Sequence, residues 1–69
     1  MTYVLNQRSD INIEVFDMVG RKVGTIVNEK QNFGEHKFEI GTAINQVKGI
    51  YFVRLSIDGQ PITKKVVVQ

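Results

Sequence analysis

Residue types that carry chemistry in other proteins are few in this 69-residue chain. His36 is the single histidine, and there is no cysteine. Metal sites combine several histidine, cysteine or carboxylate ligands, and a second histidine or a thiolate is lacking here. His36 alternates with Phe38 and Ile40, which predicts a half-buried strand position rather than a general base or a ligand. We therefore expect neither a metal site nor a bound cofactor.

The carboxylates and serines give no better candidate for catalysis. Glycoside hydrolysis needs two carboxylates that face each other across a cleft. Glu35 and Glu39 share a predicted strand face, but so short a chain leaves little room for a cleft, which favours a solvated face. Ser9 and Ser56 are the only serines, and neither lies in a G-x-S-x-G turn. There is also no G-x-x-x-x-G-K-[ST] phosphate loop, so the sequence predicts a protein that is not an enzyme.

The charge distribution argues against a nucleic-acid partner. The nine basic residues outnumber the seven acidic ones, for a formal net charge of +2. Nucleic-acid-binding proteins cluster their basic residues on one face or in one run. Here they are scattered, and the only adjacent pairs are Arg21-Lys22 and Lys64-Lys65.

The aromatic residues have two possible uses. They are able to form a platform on which sugars stack, or they fill the core that a small domain needs. We favour the core for these six residues: Tyr3, Phe16, Phe33, Phe38, Tyr51 and Phe52.

Alternating apolar and polar residues predict short strands throughout the chain. Gly24 falls inside one of these segments and predicts a bulge or a close backbone approach. Residues 28–34 are polar and are predicted to form a loop, and residues 41–49 a connection with at most one short helical turn. The predicted strands cover residues 2–5, 11–17, 22–27, 35–40, 50–57 and 62–68.

The last two strands are predicted to form a hairpin around Asp58-Gly59, since a type I′ turn needs two residues that tolerate positive φ. Gly20 and Gly34 are the other predicted turn glycines. A two-residue turn places Lys64 opposite Val53, on the face of the core residues. A buried unpaired ammonium is costly, so either the lysine extends to water or a bulge changes the register. The sequence leaves both alternatives open.

Together these patterns predict one all-β domain over residues 1–69, an immunoglobulin-like antiparallel sandwich of about six to seven short strands. Met1 leads directly into a predicted strand, without a signal peptide or an apolar run long enough to cross a membrane. We therefore expect the domain to be part of a longer polypeptide. The predicted core consists of Ile11, Ile13, Val15, Phe38, Ile40, Tyr51, Val53 and Leu55.

Two segments carry a family resemblance. "INIEVFDMVGRKVGTIVNEKQNFGEHKFEI" is similar to the pattern v-i-x-v-y-d-x-x-G-r-x-v … l-v-n … G-x-h-x-f. "GIYFVRLSIDGQPITKKVVVQ" is similar to G-x-Y-f-v-x-l … g-x-x-x-t-x-K-x-v-v. The ordered set resembles the type A carboxyl-terminal sorting domain of the type IX (Por) secretion system of Gram-negative bacteria. Family members usually open with a Y-P-N-P segment, which this chain does not contain.

The resemblance implies an export address for a cargo protein. The cargo would cross the periplasm to the cell surface or the extracellular space, and a sortase-like peptidase would then remove the domain. The expected partners are the type IX translocon components and that peptidase. The residues expected to be recognised are Gly49, Tyr51, Lys64, Lys65, Val66, Val67 and Val68.

Other classes of function remain as alternatives. A structural immunoglobulin-like module, of adhesin or flagellar hook-cap type, would lie inside a chain or an assembly. A carbohydrate-binding module would expose a row of aromatic side chains. An uncovered sheet edge also predicts a weak or strand-exchanged homodimer.

Overall fold

The computed structural model describes residues 1–41, 44 and 47–69. This part of the chain contains strands and turns and no helix, which confirms the all-β prediction. The short helical turn expected within residues 41–49 falls largely on residues outside the described ones. The six strands are β1 (Thr2–Leu5), β2 (Ser9–Phe16), β3 (Lys22–Gln31), β4 (Gly34–Lys37), β5 (Gly49–Ile57) and β6 (Gln60–Val68).

The strands form two antiparallel sheets that pack together as a small sandwich. The larger sheet has the order β3-β2-β5-β6, and the smaller sheet pairs β1 with β4. Consecutive strands are neighbours in the hairpins β2–β3 and β5–β6, whereas β2 and β5 pair across a long connection. In the larger sheet β3 and β6 are therefore the edge strands.

The core lies between the two sheets and follows the alternation in the sequence. Seven of the eight predicted core residues are buried, and the eighth, Leu55, is partly buried against them. Ile11, Ile13 and Val15 are the most completely buried. Each such side chain contributes about 1.5–3 kcal/mol relative to its exposed state. Three further residues complete the buried cluster: Tyr3, Leu5 and Ile44.

Strand β3 is longer than predicted, and the loop expected at residues 28–34 is correct only for residues 32 and 33, since β3 ends at Gln31 and β4 begins at Gly34. Ser9 pairs with Gln31, and Asn12 pairs with Asn28. The prediction failed here because this part of β3 has polar side chains on both faces, a pattern that is also typical of loops. An edge strand tolerates polar residues on both faces. The predicted irregularity at Gly24 is confirmed, since the register against β2 shifts on both sides of the pair Val15–Gly24.

Strand β4 is shorter than predicted. It ends at Lys37, although the prediction extended to residue 40. The chain beyond it remains tied to β1, because the Phe38 N–H donates to the Met1 carbonyl at 2.8 Å and the Met1 amino group donates to the Phe38 carbonyl at 2.7 Å. Phe38 and Ile40 are thereby buried without belonging to a strand.

The hairpin between β5 and β6 has the predicted two-residue turn. Asp58 and Gly59 have φ values of 51° and 85°, and Ile57 pairs with Gln60. Asp58 also joins this turn to β2, since its carboxylate accepts from the Asp10 N–H at 2.8 Å and its own N–H donates to the Asp10 carbonyl at 2.9 Å. The turn thus fixes the register of everything in β6.

Candidate recognition site

The seven residues expected to be recognised lie together at one end of the β5–β6 ladder. Across the ladder Gly49 faces Val68, and Tyr51 faces Val66. The remaining rows place Lys64, Lys65 and Val67 opposite Val53, Phe52 and Ile50, respectively. The fold therefore gathers two segments that are separate in sequence into one continuous surface, which we call the terminal ladder.

Strand β6 presents this surface at the edge of the sheet. Among the described strands it pairs with β5 alone. Its side chains alternate: Val66 and Val68 pack against the core, whereas Lys65 and Val67 lie on the outer face and are exposed. An edge strand of this kind offers backbone donors and acceptors together with side chains on both faces.

Lys64 resolves the two alternatives that the sequence left open. No register shift interrupts the β5–β6 ladder, so Lys64 does lie on the inner face, opposite Val53. It is nevertheless exposed, as is Ile62 on the same face at 52%. The Lys64 side chain reaches water beside a shallow groove that Met1, Tyr3 and Ile62 help to line.

Tyr51 and Gly49 have a different place in the terminal ladder. Tyr51 is buried, and its hydroxyl donates to the Val47 carbonyl at 2.9 Å. Gly49 has a φ of 153°, and a Cβ there would lie 3.7 Å from the Tyr51 ring, an ordinary contact. The backbone conformation rather than the available space therefore favours glycine. Both residues hold the start of β5 in place and present little surface to a partner.

The outer face of the larger sheet carries an ion-pair network that sequence reasoning missed. Glu14 on β2 is only 8% exposed, and it accepts from Arg54 of β5 at 2.5 Å and pairs with Lys22 of β3 at 2.8 Å. The Arg54 guanidinium also lies 4.8 Å above the centre of the Phe16 ring. Hydrogen bonds from Lys22 and then Arg54 lower the pKa of Glu14. The network joins three strands, and only the strand register could have revealed it.

His36 occupies the half-buried strand position that its alternation predicted. Its Nε2 atom donates to the Asn32 carbonyl at 2.8 Å, and its ring stacks on Tyr3 with 5.3 Å between ring centres. Within the described residues, no three histidine, cysteine or acidic side chains come together as a metal site. These contacts give His36 a packing role.

The aromatic side chains do not form an exposed row. Three of the six are buried, two are half-buried and only Phe33 is exposed. A cleft of about 470 Å³ lies at the opposite end of the sheet from the terminal ladder, beside Asn12, Glu29 and Ser56. The predicted core role is correct for Tyr3, Phe38 and Tyr51, but it is wrong for Phe33, which is exposed, and for Phe16 and Phe52, which lie half-buried on the outer face of the larger sheet.

Comparison with known families decides between the remaining alternatives. Residues 2–69 match the family described as secretion system C-terminal sorting domain. This chain belongs to that family. It is a sorting signal for type IX secretion, which implies contact with the secretion machinery and export to the cell surface or the extracellular space.

The identification of this chain as a sorting domain rests on the family match, and its all-β fold agrees with it. A search of curated proteins and a search of solved structures each found no match to the chain. The family match does not favour a structural module or a carbohydrate-binding module. In the part of the chain that the structure describes, no helix has the length and hydrophobicity to cross a membrane.

Proposed function

We propose that the secretion machinery reads this sorting domain through the terminal ladder, with Lys64, Lys65 and Val67 as the side chains that it contacts. The observation that carries this proposal is the exposure of all three residues on one edge strand. The other residues of the terminal ladder hold strand β6 in position.

The mode of recognition that fits this surface is the addition of a strand. A partner strand beside β6 would bond to its unpaired backbone edge and place alternate side chains on the two faces of the sheet. On the inner face it would meet Lys64 and Ile62, and on the outer face Lys65 and Val67. Such a strand would carry acidic residues opposite the two lysines, because pairs of opposite charge stabilise neighbouring strands.

Tyr51 and Gly49 act in this proposal as positioning residues. The Tyr51 hydroxyl ties the start of β5 to Val47, and the row Tyr51–Val66 aligns the end of β6. Their effect on recognition therefore passes through the shape of the strand and not through direct contact.

The wider course of secretion is also part of the proposal. The cargo would pass through the periplasm, the translocon components would bind the sorting domain, and a sortase-like peptidase would remove it after export. The domain itself would perform no catalysis and bind no cofactor, metal or nucleic acid. The family resemblance supports the order of these steps.

Export of a reporter tests the role of the two lysines. A periplasm-directed reporter fused to this domain is expressed in a bacterium that has a type IX system. We expect Lys64→Gln with Lys65→Gln, or removal of residues 64–69, to leave the reporter in the periplasm. The matched control is Lys30→Gln with Lys37→Gln, which makes the same change in charge at exposed positions on β3 and β4.

Folding must be separated from recognition in this experiment. Removing a strand also removes buried apolar area, worth about 25 cal/mol per Å². Circular dichroism of the purified variants therefore accompanies the export assay. Normal export of a folded Lys64→Gln, Lys65→Gln variant would show that these lysines are not the address.

A further inference from the structure

A second exposed surface lies at the same end of the larger sheet as the terminal ladder. The turn between β2 and β3 places Met18 and Val19 at its tip, 67% and 74% exposed. Apolar side chains are unusual at such a position, where polar residues and glycine satisfy a turn. Neither side chain belongs to the core cluster, so packing within this domain does not account for them.

Hydrogen bonds to Asp17 hold the backbone that carries these two side chains. The Asp17 carboxylate accepts from the backbone N–H groups of Val19 at 3.0 Å and Arg21 at 2.9 Å. The Asp17 N–H donates to the Arg21 carbonyl at 2.9 Å, and Gly20 closes the turn with a φ of 87°. The hydrogen bond from the Arg21 backbone lowers the pKa of Asp17, so its carboxylate stays charged and bonded. A surface that is ordered before binding loses less entropy when a partner arrives.

A shallow, open cleft of about 300 Å³ lies between this turn and the start of β5. Its apolar walls come from Met18, Val19 and Ile50, and its cations are Arg21 and Lys48. The Arg21 side chain remains 81% exposed although its Nε atom pairs with Asp17 at 3.0 Å. Arg21 and Lys48 together outnumber the single Asp17 carboxylate of the lining, so the cleft has a formal charge of +1.

We propose that this cleft docks an acidic segment of the secretion machinery that inserts an apolar side chain between the turn and β5. The inference rests on the proposed function and adds a second contact to it. Ile50 lines the cleft and lies directly opposite Val67 of the terminal ladder, so the two contacts are continuous. One partner can therefore bind both.

The shape and the charge of the cleft favour this occupant over two others. A second copy of the domain, bound through the same surface, would bring Arg21 and Lys48 close to the same cations of its partner. A lipid surface would satisfy the cations, but two basic residues are fewer than the roughly four to eight that are typical of a site for anionic lipid headgroups. A protein segment with both acidic and apolar residues satisfies both features.

The reporter assay again provides the test. We expect Met18→Ser with Val19→Ser, and separately Lys48→Glu, to reduce export several-fold while circular dichroism shows an unchanged sheet. The matched controls are Val4→Ser, which alters an equally exposed valine on β1, and Lys37→Glu on β4. Export that is the same in the cleft variants as in these controls overturns the inference.

The result also separates this inference from the proposed function. If the Lys64→Gln, Lys65→Gln variant is retained while the cleft variants are exported normally, the machinery recognises the terminal ladder and the inference about the cleft is wrong. If the cleft variants are retained and the lysine variant is exported, the cleft stands and the role of the lysines is wrong. Both outcomes count only for variants that circular dichroism shows to be folded.

Two measurements on the purified domain check the other occupants. Sedimentation across a concentration series compares the wild type with the Met18→Ser, Val19→Ser variant, and vesicles rich in phosphatidylglycerol provide the lipid surface. We expect the substitution to change neither self-association nor vesicle binding. Loss of either property in the variant would assign the cleft to a second copy or to lipid and would contradict the proposal.

Discussion

Lys64 lies directly across the β5–β6 ladder from Val53, on the same face of the sheet, yet Val53 is 2% exposed and Lys64 is exposed. The two residues differ because β5 is an interior strand of the larger sheet, paired with β2 and β6, whereas β6 is an edge strand that pairs with β5 alone among the described strands. The face of a residue is fixed by its strand register, but its burial is fixed by what the second sheet covers.

The difference in burial between Val53 and Lys64 predicts unequal losses in the free energy of unfolding for substitutions at the two positions. Val53→Ala removes two buried carbon atoms and should lower the free energy of unfolding by about 2 kcal/mol. Lys64→Gln should change it by less than about 0.5 kcal/mol, as for most surface substitutions. Urea unfolding followed by circular dichroism measures both. Similar costs at the two positions would mean that Lys64 is part of the core.

Tyr51 offers a test of positioning against direct contact. Tyr51→Phe keeps the ring and removes the hydroxyl that donates to Val47, so we expect a loss of about 1 kcal/mol in the free energy of unfolding. Export of the reporter should persist at a temperature where the variant is folded. A folded Tyr51→Phe variant that is not exported would instead indicate that the hydroxyl touches the machinery.

Glu14 predicts a dependence of stability on pH. Lys22 and Arg54 lower its pKa in the folded state from the ordinary value of 4.5. A carboxyl whose pKa falls on folding adds stability above its unfolded pKa, and that stability is lost as the pH falls through the folded pKa. The contribution of Glu14 to the free energy of unfolding should therefore be constant from pH 7 to about pH 5 and should decline below pH 4.5.

The matched variant is Glu14→Gln, which we expect to be about 1 kcal/mol less stable than the wild type at pH 7 because the ion pairs are lost. The difference between the two proteins should shrink as the pH falls below 4.5. Asp17, whose pKa is also lowered, is present in both proteins and cancels in the comparison. Urea unfolding at a series of pH values measures this difference, and a difference that does not vary with pH would contradict the prediction.

Gly59 predicts a backbone cost. Its φ of 85° is unfavourable for a residue with a Cβ, so Gly59→Ala should destabilise the domain by about 1–2 kcal/mol. Apart from its chain neighbours, none of the described residues has an atom within 4 Å of the position of that Cβ, so the cost is one of conformation and not of space. Gly59→Asn is the control, because asparagine tolerates this region better, and its smaller loss in thermal unfolding would confirm the cause.

A weak or strand-exchanged homodimer remains a prediction. The free edges of the larger sheet belong to β3 and β6, and such edges pair with other chains. Sedimentation should show the mean mass rising with concentration. A mass that stays monomeric at millimolar concentration would argue against it.

The local patterns of the sequence were sufficient for the strands that have one buried face. Alternation identified the buried positions of β2 and β5, because a strand exposes every second residue to the opposite side. Asp58-Gly59 fixed a two-residue turn, and that turn determined every pair of the β5–β6 ladder, including Val53 with Lys64. The family resemblance was also carried by short ordered motifs.

Tertiary structure decided what depends on neighbours far away in the chain. Residues 28–31 form a strand because β2 supplies the partners of their backbone groups. A polar sequence does not indicate that such partners exist. Glu14 became a buried carboxylate because Lys22 and Arg54 arrived from two other strands. The exposure of Lys64 depends on the place of β6 at the edge of the sheet, and the cleft beside Met18 depends on the approach of the β2–β3 turn to the start of β5. Alternation reports the direction of a side chain, whereas burial and partnership are set by the surface that packs against it.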